Sequence, residues 1–150
     1  MKNKKDIHEY KNYDRNTSDL VNIFVYGTLK VGGYYAGYFD QVRLCSVPCT
    51  IKGALYRITG GWFPGLILDE TRTVHGELHV YKNAKKVIAL MDTIEGVSSG
   101  LFRKETVNVK VEDNKNKEAI VYVFNHIITE NNAVIIETGT WPIDEKEKLL

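Results

Sequence analysis

Two short stretches of this chain carry residue types at spacings that could do chemistry. The first is Tyr26-Gly27-Thr28-Leu29, which follows the β-formers Ile23, Phe24 and Val25. A strand that stops at a glycine leaves turn amides uncovered, and uncovered amides can receive a small anion. Gly27 and Gly32 have the G-x-x-x-x-G spacing of a phosphate loop, but Gly33 and Tyr34 come next. A phosphate loop needs Lys and then Ser or Thr there, to reach the phosphates and the magnesium ion, so nucleoside triphosphate chemistry is excluded. Taken alone, the turn also reads as an ordinary connection after a core strand.

The second is Glu95, the last residue before Gly96 at the end of an apolar-periodic segment. That is the wrong end of a helix for a carboxylate, because the C-terminus carries partial negative charge. At about 100° per residue Glu95 lies roughly 40° round from Met91, on the shoulder of the apolar stripe. Partial burial and the helix terminus both disfavour the charged form. The expectation is a raised pKa, suited to a group that takes up and returns a proton near neutrality. The competing reading is a solvated Glu95 paired with a nearby Lys or Arg. Asp92, three residues earlier, points more outward and reads as a surface residue.

Positioning these residues falls to a set of strands and one helix. Alternation predicts strand at 21–26, one long strand or two over 42–59, and further strands at 73–81, 102–111, 118–124 and 133–137. Val47, Cys49, Ile51, Gly53 and Leu55 fall on one face, as do Val74, Gly76, Leu78 and Val80. Gly60-Gly61-Trp62-Phe63-Pro64-Gly65 breaks the pattern and predicts an aromatic loop at a rim, with strand resuming at 66–68. Val87, Leu90, Met91 and Ile94 define the clearest helix, with Asn83 as its N-cap and Gly96 at its end. Tyr34, Tyr35, Tyr38 and Phe39 fit a short helix and serve either core packing or a pocket wall. Consecutive strands with one good helix predict an α+β domain built on a strongly curved sheet or small barrel.

Composition narrows the partners. The chain has 150 residues, 43% hydrophobic and 26% charged, and a formal net charge of +1 with both signs interspersed. It offers no electrostatic footprint for nucleic acid or an anionic membrane. No apolar run approaches the roughly 20 residues that span a bilayer, and the N-terminus has no signal-peptide core, so a cytoplasmic location is expected. Cys45 and Cys49 lie about 13 Å apart along one strand, too far for a disulfide. The same spacing in a strand separates His75 from His79 and argues against a shared metal ion. Residues 1–20 are expected to form a mobile tail, 21–142 the domain, and 143–150 a charged C-terminal tail.

Tyr26-Gly27-Thr28-Leu29 and Asp92-Thr93-Ile94-Glu95-Gly96, the latter followed by a strand from Phe102, together resemble the γ-glutamylcyclotransferase superfamily, most of all its γ-glutamylamine cyclotransferase and AIG2-like branch. Phe63-Pro64-Gly65-Leu66, Val74-His75-Gly76-Glu77-Leu78 and Gly139-Thr140-Trp141 are similar to the family's other signatures, in the same order. The resemblance implies a small mixed, strongly curved β-barrel with one main helix and short flanking helices. It also implies an enzyme that cyclises a γ-glutamyl group into 5-oxoproline and expels the attached amine or amino acid. The substrate's own α-amine is the nucleophile, so no metal or cofactor is needed. On this reading Glu95 matches the catalytic glutamate, and Tyr26, Gly27, Thr28 and Leu29 hold the glutamyl head. Tyr34, Tyr35, Trp62, Phe63, Pro64, Phe102 and Lys104 are candidates for the pocket wall. Phe102 and Lys104 stand where the family usually has Tyr and Arg, and the polar Asn or His often found after the turn is missing. Two alternatives stay open: a non-catalytic module that binds a small carboxylate on the same fold, and removal of a γ-glutamyl protecting group from a biosynthetic intermediate. The sequence gives no oligomeric state.

Overall fold

The computed structural model describes residues 19–143, so most of the tail expected at the N-terminus and most of the one expected at the C-terminus lie outside the described residues. Strand β1 (Val21–Val25) is the keystone, because Ile23, Phe24 and Val25 are all buried. Successive side chains of a strand point to opposite faces. Phe24 accordingly joins one hydrophobic cluster, with Ile51, Val74 and Val121, while Ile23 and Val25 join another, with Tyr81, Met91 and Phe102.

The barrel follows from how β1 is paired. It runs antiparallel to β5 (Thr73–Tyr81) and parallel to β7 (Asn116–Phe124), through Ile23 opposite Ile120 and Phe24 opposite Val121. β5 pairs with β2 (Arg43–Lys52), β2 touches β6 (Phe102–Lys110), and β6 and β7 form a hairpin from Phe102 opposite Phe124 to Lys110 opposite Asn116. The order β1-β5-β2-β6-β7 thus closes on itself. Closure removes the unpaired edges that an open sheet would expose. Cys45 and Cys49 are buried thiols of β2, and burial pushes Cys49 up to about 12.

A second sheet, of order β4-β3-β8, was not foreseen from the sequence. The expected strand over 42–59 divides at Gly53, between β2 and β3 (Ala54–Ile58). β3 then pairs with β4 (Phe63–Ile67) and β8 (Ala133–Ile135). Phe63, Pro64 and Gly65, expected in a rim loop, are instead strand residues of β4. Pro64 is tolerated because β4 is an edge strand, where a missing N–H costs no ladder bond. The loop shrinks to residues 59–62, with Trp62 exposed at positive φ.

Helix α1 (Ala84–Ile94) follows β5. Asn83 precedes it in a left-handed conformation and its side chain makes no capping bond, so the expected N-cap interaction is absent. Val87 and Met91 are buried, whereas Leu90 is exposed at the edge of the apolar stripe. The aromatic run after the turn folds into a single 3-10 turn over Ala36–Phe39, which buries Phe39 and leaves Tyr38 exposed. Among the described residues no helix is long and apolar enough to cross a membrane.

Candidate active site

The turn after β1 is fixed by its neighbours and keeps its own donors unused. A Cβ on Gly27 would lie 2.3 Å from Cγ of Pro64, so glycine is required by the close approach of β4. The loop is tied by bonds from Lys30 N to Gly27 O (3.0 Å), Gly33 N to Lys30 O (2.7 Å) and Tyr35 N to Thr28 O (2.9 Å). Val31 N–H donates to Glu77 Oε1 at 3.0 Å. Among the described residues the amides of Gly27, Thr28 and Leu29 donate to none of these acceptors. Three successive N–H groups without a partner form a concavity suited to an anion.

Glu77 is the tether of that loop, a role the sequence reading did not assign. Burial alone would raise its pKa, but bonds from His79 and the Val31 amide, with Lys30 nearby, hold it below the ordinary value. His79 is fully buried, and burial lowers its pKa, so it is neutral. Its Nε2–H donates to Glu77 Oε1 (2.8 Å) and its Nδ1 accepts from the Tyr81 hydroxyl (2.6 Å). His75 lies on the same strand and is exposed.

Glu95 caps the C-terminus of α1, its backbone turned out of the helix at φ −86° and ψ 0°, with its N–H returned to Met91 O at 2.8 Å. Gly96 follows at φ +63°, the left-handed conformation that lets the chain leave the helix there. The carboxyl keeps some accessible surface toward the cavity, yet protein packs densely around it, and burial pushes its pKa from 4.5 up to about 7. Among the described residues no Lys, Arg or His forms an ion pair with it, so the solvated, paired reading of Glu95 is not the one observed.

The turn and Glu95 face one cavity of about 630 Å³. Tyr26, Gly27, Thr28 and Leu29 line it, as do Tyr34, Tyr35, Trp62, Phe63, Pro64 and Phe102 from the expected wall. Phe102 is buried and packs its ring 5.8 Å from Phe63 and 5.6 Å from Phe124. Lys104 does not line the cavity. It is drawn across the end of α1 by Asp92, whose Oδ2 accepts from Nζ at 3.0 Å. Asp92 is correspondingly half-buried rather than an ordinary surface residue, and its Oδ1 accepts from the Tyr122 hydroxyl at 2.8 Å. The Tyr26 hydroxyl donates to the Tyr122 carbonyl at 2.7 Å. Burial, and then the proximity of Glu95, raise the pKa of Tyr26, so the phenol stays protonated.

The sequence reading did not select Arg57, Tyr122 or Trp141 as site residues, yet all three line the cavity. Tyr122 sits among apolar neighbours in β7 and looks like a core tyrosine. Arg57 comes from a strand in a sheet that the sequence pattern did not reveal. Trp141 was visible only as part of a terminal signature, and no local pattern says that it returns to the barrel. Among the described residues no group of His, Cys, Asp and Glu is arranged to hold a metal ion.

Comparison with known proteins gives the chain a family and a shared fold. Residues 23–142 match the family described as "Gamma-glutamyl cyclotransferase, AIG2-like". Gamma-L-glutamyl-butirosin B gamma-glutamyl cyclotransferase from Niallia circulans is 36% identical over 76 residues, which are 51% of this chain and 46% of that protein. The match therefore spans less than half the length of that relative. Among solved structures, an AIG2-like protein from Mus musculus superposes with a TM-score of 0.61 at 21% identity, over 75% of this chain and 82% of that one. The Arabidopsis thaliana protein At5g39720.1 gives 0.61 at 23% identity, over 87% and 83%. YkqA from Bacillus subtilis gives 0.62 at 21%, over 81% of this chain and 39% of that one. These similarities are those of a shared fold.

Proposed function

We propose that this chain, which belongs to the gamma-glutamyl cyclotransferase, AIG2-like family, cyclises the γ-glutamyl group of a γ-glutamyl amide to 5-oxoproline and releases the attached amine or amino acid. The observation that carries the reading is a carboxyl raised to about 7 in the same cavity as three turn amides, with no ion-pair partner for the carboxyl and no acceptor for the amides among the described residues. A module that only bound a carboxylate would gain nothing from a second carboxyl there. An acid–base group tuned to neutrality is what the cyclisation requires.

The substrate's α-carboxylate docks on the amides of Gly27, Thr28 and Leu29. Its α-ammonium gives a proton to Glu95, and the freed amine attacks the γ-carbonyl carbon. A C–N bond forms within a five-membered ring, and the γ-amide C–N bond breaks. Glu95 returns its proton to the departing nitrogen. Over the whole reaction the ring nitrogen keeps one hydrogen, and the other two of the ammonium end on the leaving group. Because the attack is intramolecular, holding the chain folded can supply a large part of the ~7–11 kcal/mol available to well-oriented reactions. Phe102 brings no hydroxyl to this wall where the family usually has Tyr, and the hydroxyl of Tyr122, which lines the same cavity, donates to Asp92.

The test is incubation with a panel of γ-glutamyl amines and γ-glutamyl amino acids, with 5-oxoproline read by mass spectrometry. The expected result is product from at least one class, and a loss of roughly 10²–10⁴-fold in kcat for Glu95→Gln. Product undiminished in that variant, or absent across the panel, would overturn the mechanism.

A further inference from the structure

We infer that Arg57 is a specificity residue: its guanidinium receives a carboxylate on the departing half of the substrate, so that γ-glutamyl amino acids are preferred over γ-glutamyl derivatives of simple amines. The inference rests on the cyclisation reading and narrows its substrate class. Among the described residues lining the cavity, Arg57 is the one cation and Glu95 the one carboxyl. They do not neutralise each other. No ion pair joins them, and the upward shift of Glu95 has burial as its cause, with no opposing contribution from a cation. The two charges therefore occupy separate parts of the cavity.

Among the described residues Arg57 is also held in a way that leaves its charge unanswered. It extends from β3, opposite Pro64 and Val134, and its Cζ lies 4.6 Å from the centroid of the Trp141 ring. Stacking on an indole fixes the guanidinium plane without supplying an acceptor for its N–H fork. Among the described residues no Asp or Glu pairs with it. An arginine oriented by a ring in a cavity wall, with its donors unused, is poised for a planar anion.

The glutamyl head already has a cradle for its own α-carboxylate, at the amides of Gly27, Thr28 and Leu29. A second anion has to come from the leaving group, and the carboxylate of an amino acid or peptide supplies one. A leaving group that carries an additional cationic amine meets Arg57 with the wrong sign.

The decisive pair of ligands is γ-glutamyl-alanine and γ-glutamyl-ethylamine, which differ only by the leaving-group carboxylate. Titration calorimetry on the Glu95→Gln protein reads binding without turnover. The expected result is tighter binding of the alanine compound by on the order of 10–100-fold, as a charge-assisted hydrogen bond implies. In the double variant with Arg57→Gln that advantage should vanish, with the ethylamine affinity unchanged within about threefold; Arg57→Lys should restore part of it. Equal binding of the two ligands before Arg57 is touched would overturn the proposal, and this comparison needs no Arg57 variant to fold. Equal weakening of both by Arg57→Gln would also overturn it, assigning Arg57 to the glutamyl head. Turnover by the unsubstituted protein is scored separately. Absent 5-oxoproline counts against the cyclisation, while the affinities still decide the role of Arg57.

Discussion

Raising a carboxyl from 4.5 to about 7 costs the folded protein stability whenever the group is ionised, and Glu95 bears that cost at working pH. The unfolded chain releases this proton near its ordinary value, whereas the folded chain holds it up to about 7. Below pH 4.5 both states are protonated and the shift has no effect. Between 4.5 and 7 the folded state binds more protons, so stability falls as pH rises. Above 7 the penalty is constant, at roughly 3 kcal/mol from a shift of this size. Glu95→Gln removes the charge at nearly the same volume. It should therefore melt several degrees above the unsubstituted protein at pH 8 and about equal to it below pH 4.5, as followed by circular dichroism at both pH values. Activity should show the opposite face of the same group. In the unsubstituted protein kcat/KM should fall tenfold per unit as pH drops below about 7, because proton uptake needs the carboxylate. A limb near 4.5 would show that the reacting carboxyl is not raised by burial, and a limb that persists in the residual activity of Glu95→Gln would show that Glu95 is not the group that titrates. The wrong-end placement of this carboxylate was visible in the chain, since a helix C-terminus selects against it. The depth of its burial was not, because β1, β4 and β6 supply the walls from distant parts of the sequence.

At the scale of elements, the end of α1 determines where Glu95 points, and Gly96 makes that end. Its φ of +63° is strained for any side chain, and a Cβ there would lie 3.2 Å from both Leu101 Cβ and Ser99 Oγ. Gly100 has the same kind of strain, at φ +81°, with nothing near its missing Cβ. The two glycines separate backbone strain from placement of the site. Both Gly96→Ala and Gly100→Ala should lower stability by about 1–2 kcal/mol. Only the first should also lower kcat and move the acidic limb of the pH profile toward the ordinary carboxyl value, as the helix end shifts and water reaches Glu95. An unmoved limb in Gly96→Ala, measured beside Gly100→Ala, would mean that the carboxyl is positioned by something other than this cap. Elements with an uninterrupted period were readable directly: β5 over Thr73–Tyr81, and α1 from the spacing of Val87, Met91 and Ile94. β4 was misread because Pro64 and Gly65 are turn formers in general and are tolerated here by the accident of an edge position. Asn83 has the right chemistry for a cap, but its left-handed backbone carries the side chain away from the helix amides.

For the molecule as a whole, the cavity exists only when distant parts of the chain have closed on each other. The Tyr26 hydroxyl reaches the carbonyl of Tyr122, the parallel pairing of β1 with β7 shuts the barrel, and Lys30 Nζ donates to the Trp141 carbonyl. A curved sheet could be inferred from the number of strands, but not the partition into a barrel and a second sheet, since pairing order leaves no trace in local alternation. For the same reason the segment that brings Trp141 beneath Arg57 could not be traced. Its Gly139 amide bonds to Ile136 O, and its carbonyl accepts from His75 N at 2.8 Å, which ties the segment to β5. Trp141 is buried while Trp62 is exposed, and the chain has two tryptophans, so Trp62→Phe leaves fluorescence that reports the closing segment alone. If that segment is part of one cooperative core, urea titration of this variant should give the same midpoint by tryptophan fluorescence and by far-ultraviolet circular dichroism. An earlier fluorescence midpoint would mean that the segment detaches before the barrel opens. Arg57 would then lose its ring in a species still folded around Glu95, and selectivity for the leaving group would fail at lower urea than catalysis does.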